Sequence, residues 1–241
     1  MPPHPAPTPA AAPPPGTHSL PRRLSAECLG TGLLVLLGPG AVMVAASTGA
    51  FGHAGISLTF GLVVMLLVAA LGPVSGAHIN PSVTVMLWVL GKTRAAEVVP
   101  YIAAQCTGAV LAALGLRTLL GPVGNLGATV PTVGLLEAGV IEAGYSAILA
   151  FVILRLTTDT TTPTALIPLG IGATVGVGAL LTGPLTGGSF NPARSLGPAV
   201  AGGDWTAHWL YWVAPTLGML VGGWLGLWFS GPRSHGDPAA R

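Results

Sequence analysis

The sequence predicts an all-α membrane protein with six transmembrane helices plus two re-entrant half-helices, arranged as an inverted repeat. Three observations carry that prediction. Only 7% of the 241 residues are charged, against roughly 25% in ordinary soluble domains, while 51% are hydrophobic and mean hydropathy is +0.74. Six apolar stretches are each long enough to cross a bilayer, which takes about 20 residues. Finally, one pattern built around Asn-Pro occurs twice, once in each half of the chain.

So little charge cannot cover the surface of a water-soluble domain, so lipid is the natural solvent. A net charge of +2 gives no footprint for nucleic acid. The 36 glycines suit helices packed closely in a bilayer. Cys28 and Cys106 both lie in apolar stretches and read as small core residues, with no disulfide framework or metal site around them.

Residues 1–21 are Pro/Ala-rich without periodicity and are read as a disordered cytoplasmic tail. Arg22 and Arg23 precede an apolar run too long for a signal peptide, which is therefore the first membrane helix. The expected spans are residues 24–46, 55–73, 95–119, 135–156, 164–181 and 208–229. The membrane domain is placed at 22–230, with half-repeats at about 22–120 and 135–230, and a cytoplasmic tail at 231–241. With a cytoplasmic N-terminus, seven basic residues (Arg22, Arg23, Lys92, Arg94, Arg155, Arg233, Arg241) fall inside and two (Arg117, Arg194) outside. That satisfies the positive-inside rule, and an even number of spans returns the C-terminus to the same side.

Ser75-Gly76-Ala77-His78-Ile79-Asn80-Pro81-Ser82 resembles Thr186-Gly187-Gly188-Ser189-Phe190-Asn191-Pro192-Ala193, and Glu27 corresponds to Glu142. Three spans separate the halves, so the repeats must be inverted, a transport architecture. Each box opens a segment of about ten residues, too short to span and too apolar for a loop, as expected of a half-helix dipping into the membrane. Asn caps the orphan N–H groups and Pro fits the first helical position. Two such N-termini meeting at mid-membrane each bring a positive partial charge of roughly half an elementary unit and together repel cations and hydronium. The Asn amides can donate to a passing water and interrupt the wire along which protons hop. The stretches before each box, including Gly76, Ala77, His78, Gly187 and Ser189, are expected to be extended and to line the pore.

Arg194, beside an apolar half-helix, is functional by default; its guanidinium offers five donors at a pore mouth. Glu27 and Glu142 lie within spans and are read as structural acids that hold the loop amides, with a proton relay as the competing reading. His53 and His208 mark helix ends, and the tryptophans from Trp205 to Trp228 suit an interface belt.

These residues resemble the aquaporins, or major intrinsic proteins, over residues 24–229. The supporting motifs are Ala26-Glu27-Cys28-x-Gly30-Thr31, the first box, Gln105, and Asn191-Pro192-Ala193-Arg194-Ser195-Leu196-Gly197-Pro198. The resemblance implies an hourglass fold, a homotetramer with one pore per subunit in the cell membrane, passive conduction, and no cofactor. The first box departs from the family pattern at Ser82, where Ala is usual; Ser82 is small and expected to point along the half-helix, leaving the pore intact. By gapless matching the family's selectivity-filter positions fall on Phe60, Ala179, Gly188 and Arg194. Ala179 stands where water-selective members carry His, so the resemblance implies a wider ring, similar to plant nodulin-type intrinsic proteins. Ser195, Ala199 and Tyr211-Trp212 resemble the water-channel pattern instead.

The sequence therefore predicts a passive channel for water and small neutral solutes such as glycerol, urea, boric or other metalloid acids, excluding protons and ions. A dedicated glycerol or metalloid-acid facilitator is the alternative. A secondary transporter would need an ion-coupling site at the midplane, where this chain offers amides, and a closed junctional protein would have no use for Arg194 and two intact boxes. No nucleophile–base pair, metal cluster or phosphate loop supports an enzyme.

Overall fold

The computed structural model describes residues His18–Ser230. The tail at 231–241 and most of the tail at 1–21 lie outside the described residues. Eight α-helices follow in order: α1 (Leu20–Thr48), α2 (Gly52–Ser75), α3 (Pro81–Val89), α4 (Ala95–Leu120), α5 (Leu135–Thr158), α6 (Leu166–Thr186), α7 (Pro192–Gly202) and α8 (Leu210–Trp228). Six are long and apolar enough to cross a membrane; α3 and α7, with 9 and 11 residues, are the half-helices.

Most spans run a few residues beyond the ends read from hydropathy. The first helix starts at Leu20, inside the segment assigned to the tail, because Pro21 sits in the first turn, where no backbone donor is needed. The largest extension is in α6, which continues past residue 181 through Pro184 to Thr186. A proline there leaves the Leu180 carbonyl without its intrahelical partner, and His53 of α2 reaches it through Nε2 at 2.8 Å. His53 thus does more than mark a helix end: it ties α2 to α6. His208 accepts from Trp212 Nε1 at 3.1 Å.

The spans pack in pairs, α1 on α4, α5 on α8 and α2 on α6, with α3 seated between α4 and α8 and α7 against α4. Close crossing rests on small residues. A Cβ at Gly108 would collide with the Cys28 carbonyl of α1, and one at Gly222 with the Ala147 carbonyl of α5. The outside of the bundle is apolar: Val99 is 74% exposed and Leu136 78%, a surface that only lipid or another subunit can cover. Trp205, Trp209, Trp224 and Trp228 are exposed near the two ends of α8.

Candidate pore and selectivity ring

The two Asn boxes meet inside this bundle. Asn80 caps α3, its Oδ1 accepting from Ser82 N–H at 2.9 Å. Asn191 caps α7, its Oδ1 accepting from Ala193 N–H at 3.1 Å and Arg194 N–H at 3.3 Å. Each amide nitrogen then reaches across to the opposite loop. Asn80 Nδ2 donates to the Phe190 carbonyl at 2.7 Å, and Asn191 Nδ2 donates to the Ile79 carbonyl at 2.8 Å. An Asn amide has two N–H groups, so each side chain is oriented by its oxygen and one hydrogen and keeps the second hydrogen for a further acceptor.

The loops ahead of the boxes are less regular than the extended conformation expected of them. Positive φ recurs at Gly76 (89°), Ala77 (46°) and Ile79 (42°), and at Gly187 (83°), Gly188 (57°) and Phe190 (53°). Left-handed backbone at a residue with a Cβ costs roughly 1–2 kcal/mol and persists where surrounding bonds over-determine it. The two buried acids supply those bonds. Glu27 Oε1 accepts from Ser75 Oγ (2.6 Å) and His78 N–H (3.0 Å), and Oε2 from Ile79 N–H (2.6 Å) and Gln105 Nε2 (2.8 Å). Glu142 repeats the pattern in the second half: Oε1 accepts from Thr186 Oγ1 (2.7 Å) and Ser189 N–H (2.9 Å), Oε2 from Phe190 N–H (2.9 Å). Two tyrosines complete the symmetry, Tyr101 Oη donating to Ser75 O at 3.0 Å and Tyr211 Oη to Thr186 O at 2.6 Å. Of this pair, on α4 and α8, the sequence marked Tyr211 only through its resemblance to the water-channel pattern and did not mark Tyr101.

A cavity of about 790 Å³ runs past both boxes. Its lining includes Gly76, Ala77, His78, Asn80, Gly188, Ser189 and Asn191, together with Phe60, Ala179 and Arg194. Its remaining wall is mainly aliphatic, with Leu34, Val64, Val83, Leu149, Ile171 and Val175, so the polar groups form a stripe supplied largely by the two loops. Gly187 is set apart from this lining: a Cβ there would lie 2.8 Å from Thr129 Cα, so the position needs glycine for packing as well as for its positive φ. Pro81, Ser82, Pro192 and Ala193 form the first turns of the half-helices behind the cavity. The Ser82 hydroxyl faces α8, not the axis of α3, and lies 2.8 Å from Thr216 Oγ1.

At one level of the cavity Arg194 meets Phe60, the guanidinium carbon 5.1 Å from the ring centroid. Gly188 packs beside Ala179: a Cβ on Gly188 would lie 3.4 Å from Ala179 Cα. Arg194 is 3% exposed and donates through Nη1 to the Gly127 carbonyl at 2.6 Å. That acceptor comes from the loop between α4 and α5, where Gly124, Asn125 and Leu126 make a left-handed turn. Thr129 of the same loop donates to Ser195 Oγ at 2.8 Å. Asn125 Nδ2 donates to Asp204 at 2.8 Å, one of the bonds that hold the Asp204 carboxyl below the usual carboxylate range. Nothing in the sequence marks this loop, and its bond to Arg194 is made by backbone.

The family profile described as Major intrinsic protein matches residues 16–226. The chain belongs to the major intrinsic protein family. It is 40% identical over 210 residues to Aquaporin NIP6-1 of Arabidopsis thaliana (87% of this chain, 69% of that protein). It is 42% identical over 208 residues to Aquaporin NIP1-2 of Oryza sativa subsp. japonica (83% and 68%), and 39% identical over 220 residues to Aquaporin Z of Photorhabdus laumondii (84% and 94%). The fold is shared with the aquaglyceroporin of Plasmodium falciparum, with a TM-score of 0.76, 24% identity, and coverage of 88% of this chain and 96% of that one. Like its family, this intrinsic protein is a multi-pass membrane channel and not an enzyme.

Proposed function

We propose that this intrinsic protein conducts water together with small neutral solutes of the glycerol, urea and metalloid-acid class, down their gradients and without protons or ions. The observation that carries the reading is the crossed pair of Asn amides in a cavity whose other walls are mainly aliphatic. A water crossing that point accepts from amides whose orientation is already set, so its own hydrogens turn away and the proton wire breaks. The opposed half-helix N-termini oppose cations at the same place. Phe60, Ala179, Gly188 and Arg194 are assigned as the selectivity ring, with Arg194 as donor and cation barrier. The methyl of Ala179 and the bare backbone of Gly188 leave room for solutes larger than water, and the likeness to NIP aquaporins supports that choice. The loops carrying His78 and Ser189 complete the lining, with Glu27 and Glu142 as their structural supports.

The channel domain is proposed to comprise residues 22–230 as two inverted half-repeats. The family resemblance supports a homotetramer in the cell membrane, and the distribution of basic residues supports cytoplasmic termini.

Stopped-flow light scattering on proteoliposomes tests the reading, comparing osmotic water entry with glycerol, urea and boric acid entry against empty vesicles. Both kinds of flux are expected. Water alone would restrict the channel to water, solute alone would establish the dedicated facilitator, and neither would overturn the proposal.

A further inference from the structure

We infer that Ser82 is a positioning residue: its hydroxyl, through Thr216, pins the first turn of α3 and thereby sets the amide of Asn80. The inference rests on the channel reading above and concerns how one of its two boxes is held.

Ser82 is completely buried, with Oγ 2.8 Å from Thr216 Oγ1 on α8. Thr216 spends its own hydroxyl proton on the Trp212 carbonyl, at 2.7 Å. A hydroxyl has one hydrogen, so Ser82 is the donor in the shared bond, and the chain runs Ser82 to Thr216 to Trp212. The other side of the same turn is held by Thr84, whose Oγ1 accepts from Gln105 Nε2 on α4 at 3.0 Å. The turn is therefore clamped between α4 and α8.

The two boxes differ in how much they need that clamp. Asn191 Oδ1 receives two backbone N–H groups, from Ala193 and Arg194. Asn80 Oδ1 receives one, from Ser82 itself. The residue whose backbone alone fixes the Asn80 oxygen is thus the residue whose side chain is bonded to α8. In the second box, where the cap is doubled, the third residue is Ala193, with no hydroxyl to anchor. If the first turn of α3 shifts, the Ser82 N–H moves with it, the Asn80 amide rotates, and its second N–H no longer meets the passing water.

The test uses the full chain reconstituted in vesicles, with Ser82→Ala, Thr216→Val (equal in volume, without the hydroxyl), the double variant, and Thr216→Ser. Osmotic water permeability is read beside proton leak, from a lumenal pH dye under an imposed gradient, and thermal melting is followed in detergent. Ser82→Ala and Thr216→Val are each expected to raise the ratio of proton to water permeability by about threefold, the scale of one lost intramembrane hydrogen bond. The double variant should match either single one, since both remove the same bond, and Thr216→Ser should rescue the ratio by restoring the hydroxyl. An unchanged ratio in Ser82→Ala, additive effects in the double variant, or a change in melting temperature without a change in ratio would each overturn the inference. Failure of the parent protein to conduct either water or the solutes would instead bring down the channel reading, and this inference with it.

Discussion

Arg194 stacks on Phe60, its guanidinium carbon 5.1 Å from the ring centroid, while its Nη1 is held by the Gly127 carbonyl at 2.6 Å. The cation is thus fixed from two sides, by an aromatic face from α2 and by a carbonyl from the loop between α4 and α5. In the proposed selectivity ring, these two contacts leave the Ala179 and Gly188 side as the part assigned to admit something larger than water.

Arg194→Ala removes the one charged side chain in the cavity lining among the described residues. Cation or proton leak is expected to rise by about tenfold, which corresponds to lowering a barrier by about 1.4 kcal/mol. Vesicle pH-dye and membrane-potential assays would read it; an unchanged leak would deny Arg194 its part as barrier.

Ala179→His places an imidazole into the proposed ring beside Gly188. Glycerol and urea permeability should fall by about tenfold, the scale on which one added pocket group discriminates, with a smaller loss for water. Stopped-flow entry of each solute measures the split, and equal losses would mean that Ala179 does not bound the narrowest point.

Glu27→Gln turns one acceptor oxygen into a donor facing the N–H group of either His78 or Ile79. A buried donor left facing donors costs about 1–3 kcal/mol, and the left-handed loop loses its support, so melting temperature and water flux should both fall. Tyr101→Phe removes a single bond to Ser75 O and should cost roughly 0.6 kcal/mol, typical inside a membrane. Thermal melting in detergent ranks the two; the reverse order would contradict the role given to Glu27.

Gly222→Ala forces a methyl onto the Ala147 carbonyl across the α5–α8 crossing and should destabilise by about 1–3 kcal/mol. Gly115 faces open space, so Gly115→Ala should be neutral or stabilising by up to about 1 kcal/mol. Melting temperatures of the two variants, side by side, test whether the crossing sets the tolerance.

The fold class and the placing of the boxes were determined by the sequence alone, because both rest on local chemistry. Apolar length makes a span, and Asn80-Pro81 and Asn191-Pro192, repeated ahead of short apolar segments, are suited to start helices. Helix ends were less legible: the sequence starts the first span at 24 and ends the fifth at 181, yet Pro21 and Pro184 both lie inside helices, one in a first turn that needs no donor and one after a carbonyl that His53 satisfies. What only the tertiary structure decided are relations between distant segments. The Asn80 bond to Phe190 and the Arg194 bond to Gly127 end on backbone carbonyls, which every residue carries and no residue type announces. The Ser82–Thr216 pair joins side chains 134 positions apart, and its direction follows from where Thr216 sends its one proton. Sequence specifies which groups need partners; packing in three dimensions decides which partner each one finds.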